Sequence, residues 1–408
     1  MAARRTVRDG RKPLRIGAQE YATTESATGP VEMRGNPGRT RSAYDCFSCP
    51  KMWWDRLAVR PSWTGVDLFF VISGFLISGL LFSEFKKHGR INFGGFAIRR
   101  ALKNYPTLYA LVFGVMVIRL IHSGFRDVSW IIEPVLHDIF FVQSYLRGTY
   151  GHFWSLAVEE HFYIILPLML YFMLRRARAG ETDPFRALPL IFLLVAIFSV
   201  GARLCQAVLV QPFSYTAHFF LTHLRLDSLF FLALLSYWYR FHTKRFNALI
   251  NRVRPFLIPI SLVLIMPAFI LEQSSPFTYT VGFSALYLGY GGLMISFLQV
   301  PLTTKCASGR LLMLFSYIGQ HSYSIYLFHI LVLEQLLKRG LLQTWRGLVL
   351  YFISSIAVGI LLSKVIEFPV LHLRDRIFPP DAEALPAYVR QLTPQSLMTI
   401  SLHHEKER

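Results

Sequence analysis

The chain is short of acid and of cysteine. Its 408 residues hold 24 Asp and Glu against 43 Lys and Arg, a formal charge of +19. Such a surplus can mark a nucleic-acid partner. No zinc-finger spacing and no aromatic RNA-binding signature accompanies it, so no nucleic acid is expected. The four cysteines give one C-x-x-C, Cys46 and Cys49, and two single residues, Cys205 and Cys306. A zinc site needs a second ligand pair at suitable spacing, and none stands near Cys46, so no metal is expected. Residues 1–62 have charges throughout, no apolar core and no sustained periodicity. They are expected to be a disordered or aberrant leader without a secretory signal peptide. No internal repeat is visible.

What remains is strongly apolar. Hydrophobic residues make up 53% of the chain, and mean hydropathy is positive. Apolar runs near the bilayer-spanning length of about 20 residues recur at 66–83, 105–121, 155–174, 187–209, 225–241, 255–271, 278–298, 314–336 and 346–367. The expected fold is all-α, a polytopic transmembrane bundle of about nine spans over 63–375. The run from Ile131 to Tyr145, interrupted by Glu133, Pro134, His137 and Asp138, reads as an interfacial or re-entrant piece. Lys and Arg gather around 86–103, 175–186 and 240–254, and these loops are placed in the cytoplasm. The loop with Lys338 and Arg339 is an exception. The tail 376–408 is then cytoplasmic.

The segment from His152 to Tyr163 sets imidazoles, carboxylates and a hydroxyl at the start of an apolar run. Ionisable groups in a span cost about 2.5–3.5 kcal/mol at mid-bilayer, so they mark a polar cavity by default. Ser155 and Glu159 are four apart and share a helix face, with His152 just ahead. The flanking glycines of G-x-S-x-G are absent, so this is no nucleophile elbow. Arg99 and Lys103 also lie one turn apart, beside Arg100, in a pattern that suits phosphate. Asp67 near a helix start can complement free amides, while Ser73, Gly74, Ser78 and Gly79 permit close helix approach. Arg225 and Asp227 open one span, as a local ion pair or a functional pair. Tyr326 and His329 lie on another. Glu367 closes the last span before Pro369.

In this order, GVDLFFVISGFLI, F-x-x-RR-x-x-K-x-x-P, FWSLAVEEHFY, HSYSIYLFH and the final E-x-P resemble the landmarks of the membrane acyltransferase family 3. That family contains bacterial O-antigen and exopolysaccharide O-acetyltransferases. The resemblance implies a protein of the bacterial inner membrane, surrounded by lipid. It would transfer an acyl group, commonly acetyl, from acyl-CoA as co-substrate to a hydroxyl of a sugar or cell-envelope glycan, with no permanently bound cofactor. It implies that Arg99, Arg100 and Lys103 bind the donor, with Lys103 standing where Arg is usual. It implies catalytic or orienting roles for His152, Ser155 and Glu159. Asp67, Arg225, Asp227, Tyr326, His329 and Glu367 would shape the cavity. The family's about ten spans include a first helix bearing Arg and a catalytic His. Residues 1–62 hold neither that helix nor a histidine, and family-like sequence resumes near Trp53. The expectation is therefore little or no turnover. A pseudoenzyme relic and a transporter or flippase of a glycosidic or lipid-linked solute stay open as alternatives.

Overall fold

A computed structural model describes residues 63–126, 128–178, 180–298 and 307–378. The expected leader, nearly all of the expected tail, and Cys46, Cys49 and Cys306 lie outside these residues. In chain order the helices are α1 (Thr64–His88), α2 (Phe93–Ser123), α3 (Val128–Ile139), α4 (Trp154–Arg176), α5 (Leu188–Leu209), α6 (Tyr215–His218) and α7 (Leu226–Phe241). There follow α8 (Thr243–Ile265), α9 (Pro267–Ile270), α10 (Phe283–Leu298), α11 (Ala307–Gln320), α12 (Ser322–Lys338), α13 (Trp345–Leu362) and α14 (Phe368–Ile377). A 3-10 turn, Gly151–Phe153, leads into α4, and a π-helical turn, Ser363–Glu367, joins α13 to α14.

All nine apolar runs fall on helices, but only seven helices among the described residues are long and apolar enough to cross a membrane. The run at 225–241 yields 16 helical residues. That is about 24 Å at the helical rise, short of a hydrocarbon core of about 30 Å. The run at 314–336 breaks at His321, giving helices of 14 and 17 residues. The apolar piece after Ile131 is a short helix, α3, followed by turns.

Local chemistry sets several boundaries. The Asn92 side chain accepts the Gly95 N–H at 2.9 Å and starts α2. Gly89 and Gly124 stop α1 and α2 in the left-handed conformation, φ +67° and +61°. α1 is the central post. It runs along α7 and also meets α4 and α10. Gly74 and Gly79 let it approach α7 closely, as the sequence implied, beside the larger contacts of Phe75 and Phe82 with Tyr239 and Tyr237. A Cβ on Gly74 would come within 2.8 Å of the Leu229 carbonyl oxygen. By contrast α5 turns Leu194, Ile197 and Phe198 outward, as a lipid-facing helix should.

The basic loops share one end of the bundle. There Phe82 and Phe85 of α1 meet Phe185 and Phe241, and Lys86 donates to the Arg240 carbonyl at 2.8 Å. The opposite end gathers α3, residues 140–153 and residues 213–225. Ser144 meets Thr222 at 2.9 Å there, and Phe213 meets Tyr279. The residue order along α12 carries Lys338 and Arg339 away from the basic end, so they remain an exception to the charge bias.

The Gly74 contact is testable. Gly74→Val should separate α1 from α7 and cost about 1–3 kcal/mol. Gly65, which has nothing within 4 Å of a Cβ, should accept Ala nearly unchanged. Thermal unfolding of the purified protein in detergent reads both.

Candidate active site

Two buried ion pairs frame the interior. Arg225 donates to Asp67 at 2.6 Å, with 2% and 1% of the side chains exposed. Its guanidinium also lies 3.6 Å from the centroid of the Phe283 ring. Arg203 on α5 grips Asp227 with two bonds, 3.2 and 2.7 Å, and donates to the Leu224 carbonyl and the Ser284 hydroxyl. Arg225 and Asp227 are therefore not a local pair. Each reaches a partner on another helix, so α1, α5 and α7 are tied together. Asp67 is no simple cap, because one oxygen of its carboxylate is bound to Arg225.

A polar stripe runs along one face of α4. Ser155, Glu159 and Tyr163 follow one another at four-residue spacing. Ser155 Oγ meets the Tyr326 hydroxyl at 2.5 Å, and Tyr326 donates to the His152 carbonyl at 2.6 Å. One turn on, Tyr163 donates to Glu159 Oε2 at 3.1 Å and meets Ser73 Oγ of α1 at 2.7 Å. Glu159 Oε1 is buried and has no hydrogen-bond partner among the described residues. A buried, unsatisfied carboxylate oxygen is costly, which makes it a candidate for holding a ligand hydroxyl.

The neighbouring Glu160 points to α2. It accepts Asn104 Nδ2 at 2.8 Å and the Tyr105 hydroxyl at 3.2 Å. The Asn104 carbonyl in turn accepts Tyr323 of α12 at 2.6 Å. Arg100, one turn toward the basic end, lies within electrostatic reach of Glu159, Glu160 and Tyr163. Lys103 Nζ stands 3.7 Å from Glu367. Glu367 also accepts Ser324 at 2.6 Å and Ser363 at 2.9 Å, the latter from the π-helical turn. Such turns recur at functional sites. Arg99 is half-buried beside them.

The structure thus brings Ser155, Glu159, Arg100 and Tyr326 to one stripe, with His152 and His329 at its far end and Lys103 with Glu367 beside it. Asp67, Arg225 and Asp227 sit apart as framework. Sequence reasoning missed Arg203, although a lone Arg inside the apolar run 187–209 was a signal. It also missed Ser73 as a polar partner, and Asn104, Tyr105, Ser324 and Ser363. Those are hydroxyl or amide residues that no spacing rule singles out. Among the described residues no group of three or more His, Cys, Asp or Glu is placed to hold a metal.

The loop ahead of α4 is pinned by Asp138. Its carboxylate accepts the Thr149 N–H at 2.9 Å, while Gln143 donates to the Phe153 carbonyl at 3.1 Å. A Cβ on Gly148 would meet Asp138 Oδ1 at 2.5 Å, so glycine is needed there. Burial pushes the Asp138 carboxyl up from 3.8 to about 7, against the pull of the Thr149 hydrogen bond and of His137 and Arg119.

The model of the acyltransferase domain family 3 matches residues 53–364. The chain belongs to that family. The match begins where family-like sequence was expected to resume, at Trp53. The chain is 29% identical over 284 residues to the O-acetyltransferase OatA of Staphylococcus aureus, covering 65% of this chain and 45% of that protein. It is 32% identical over 194 residues to an uncharacterized protein of Haemophilus influenzae, covering 44% of this chain and 76% of that one. The chain spans about half the length of the curated S. aureus relatives it matches. No solved structure matches it. Family and helices together make this an integral membrane protein of the acyltransferase class.

Two predictions test the framework. Removing one partner of a buried pair typically costs about 3–5 kcal/mol, because the other charge is stranded. Arg225→Met and Asp67→Asn should each destabilise strongly, and the double variant should lose less than their sum. Unfolding in detergent measures the cycle, and additive losses would mean no coupling. For Asp138 the native state holds its proton more tightly than the unfolded chain. Its contribution to stability is greatest below about pH 4, falls as pH rises to about 7 and is flat above. Asp138→Asn should remove that slope in melting profiles taken across pH.

Proposed function

We propose that the protein transfers an acetyl group from acetyl-CoA, taken up at the basic end, to a hydroxyl of a cell-envelope sugar presented at the opposite end. The observation that carries this reading is the polar stripe of α4, which continues from Arg100 through Tyr163 and Glu159 to Ser155 and Tyr326. It links a phosphate-friendly end to a hydroxyl-rich end through an apolar bundle. Ser155 to Tyr163 alone covers about 12 Å at the helical rise. A thioester fits such an arrangement. Its charged nucleotide stays with Arg99 and Arg100, and its long neutral arm carries the acyl group inward. Guanidinium groups bind phosphate through paired, directional hydrogen bonds. Glu159 Oε1, without a hydrogen-bond partner among the described residues, accepts a hydrogen bond from the acceptor and orients it. The S. aureus relative named as an O-acetyltransferase supports the reaction class.

The test uses the full chain in membrane vesicles with radiolabelled acetyl-CoA. Label should pass to an alkali-labile ester, contrary to the expectation of little or no turnover drawn from the missing first-helix histidine, and a chain that passes no label would leave the pseudoenzyme relic standing. Arg99→Gln with Arg100→Gln should raise the apparent KM for the donor by about 10²- to 10⁴-fold, given that each of the two lost charged hydrogen bonds is worth about 1.5–3 kcal/mol. Folding should hold, as judged by detergent melting. An unchanged KM in the folded double variant removes the donor assignment. Label transported unesterified would favour a transporter.

A further inference from the structure

The two imidazoles at the far end of the stripe differ in what their nitrogens face. His329 lies one turn beyond Tyr326 on α12, and its Nδ1 is 2.6 Å from the Tyr326 carbonyl oxygen. A carbonyl can only accept. Nδ1 therefore carries the proton, and the neutral ring keeps its lone pair on Nε2. A base whose other nitrogen is fixed by an acceptor is the arrangement that orients an imidazole for proton abstraction. His329 is half-buried.

His152 is placed differently. Its ring meets that of His329 edge to face, with centroids 4.9 Å apart at 69°. Both of its nitrogens are sealed from solvent, and neither meets a hydrogen-bond partner of good geometry among the described residues. Its carbonyl receives the Tyr326 hydroxyl and, at 3.2 Å, that of Ser155. His152 thus forms the wall against which His329 stands, and its backbone fixes the two hydroxyls beside it. The titratable groups facing His329 are His152 and Tyr326. Behind His152 lies Tyr150, its ring 5.9 Å away, with Arg119 over that ring and Glu334 within electrostatic reach.

We propose that His329 is the general base for the acceptor hydroxyl, and that His152 positions it. The proposal rests on the acyl-transfer reading above. The acceptor O–H gives its proton to Nε2 of His329. The freed oxygen pair attacks the thioester carbonyl carbon, whose π pair moves onto its oxygen. That pair returns as the C–S bond breaks. The thiolate leaves and takes up the proton from the imidazolium. Ester, free thiol and neutral imidazole result, with no other reactant needed.

The experiment compares the full-length wild type with His329→Gln and His152→Gln in membrane vesicles. Acetyl-CoA is the donor and nitrophenyl hexosides are the acceptors. In the wild type, kcat should rise with pH through one ionisation, because the imidazole must be neutral to act. His329→Gln should lower kcat by about 10²- to 10⁴-fold, the usual contribution of a general base. It should abolish the rise with pH and leave the KM for acetyl-CoA unchanged. His152→Gln should lower kcat less and keep the pH limb. Diethyl pyrocarbonate followed by mass spectrometry gives a reading independent of turnover, with His329 modified and His152 spared. An active wild type with a near-normal His329→Gln overturns the proposal alone. Modification of His152 with His329 untouched also overturns it. A wild type that transfers nothing sinks the acyl-transfer reading, and this proposal with it.

Discussion

Charge in hydrocarbon must be partnered, and that constraint organises this bundle. Water cannot repair a stranded carboxylate there, so a buried ion pair draws two helices together. Asp67 draws α7 to α1 through Arg225, and Asp227 draws α5 through Arg203. Glu367 draws α2 and α12 toward the π-helical turn that follows α13. These contacts are few, but each is directional, whereas the apolar packing around them fixes distance more than register. Between helices, lipid offers no hydrophobic driving force of its own. Small-residue contact and polar bonding must therefore supply specificity together. α1 shows both, with Gly74 against the α7 backbone and Ser73 bonded to Tyr163.

The pair Glu159-Glu160 illustrates how a helix divides its labour. Successive residues point about 100° apart at 3.6 residues per turn. Glu159 therefore faces α1 and Tyr163, while Glu160 faces α2. Glu160 is fully engaged by Asn104 and Tyr105, and it reads as a joint. Glu159 keeps one oxygen without a hydrogen-bond partner among the described residues, and it is the carboxylate proposed to meet the acceptor. Sequence spacing alone gives these two residues equal standing. Their separation depends on which neighbour each meets, and that is a tertiary fact.

Helix positions were legible because the apolar runs are long and the bilayer sets a length scale. All nine runs became helices. Their number as spans was less legible, because a 16-residue helix is tied inside the bundle by Asp227 at one end and Tyr237 at the other, bonded to Asp183. Protein neighbours, not hydrocarbon thickness, set its length. The cluster from His152 to Tyr163 was legible from its density of polar groups against an apolar background. Its long-range partners were not. Tyr326 meets Ser155 across 171 positions and Arg225 meets Asp67 across 158, and no local period encodes such pairs. His152 also shows the limit of residue type as a guide. The resemblance implies a catalytic or orienting role for it, and the structure adds that its ring nitrogens are buried while its carbonyl accepts from Tyr326 and Ser155.

Lys103 shows how one departure from the family pattern makes structural sense. The resemblance places Arg there, and a guanidinium would offer a rigid fork to phosphate. Lys103 instead sends a flexible ammonium toward Glu367, which is nearly sealed and already holds two serine hydroxyls. A point charge on a four-carbon stem can reach such a carboxylate without demanding planar geometry. Glu367 in turn needs a cation, because its remaining oxygen has no hydrogen bond of its own. The basic motif is thereby split. Lys103 serves the junction of α2, α12 and the π-helical turn, and the guanidiniums of Arg99 and Arg100 are left as the proposed donor-binding groups. Neutralising Lys103 would then loosen the helices around Glu367 before it weakened any ligand, whereas neutralising the arginines would leave that junction standing.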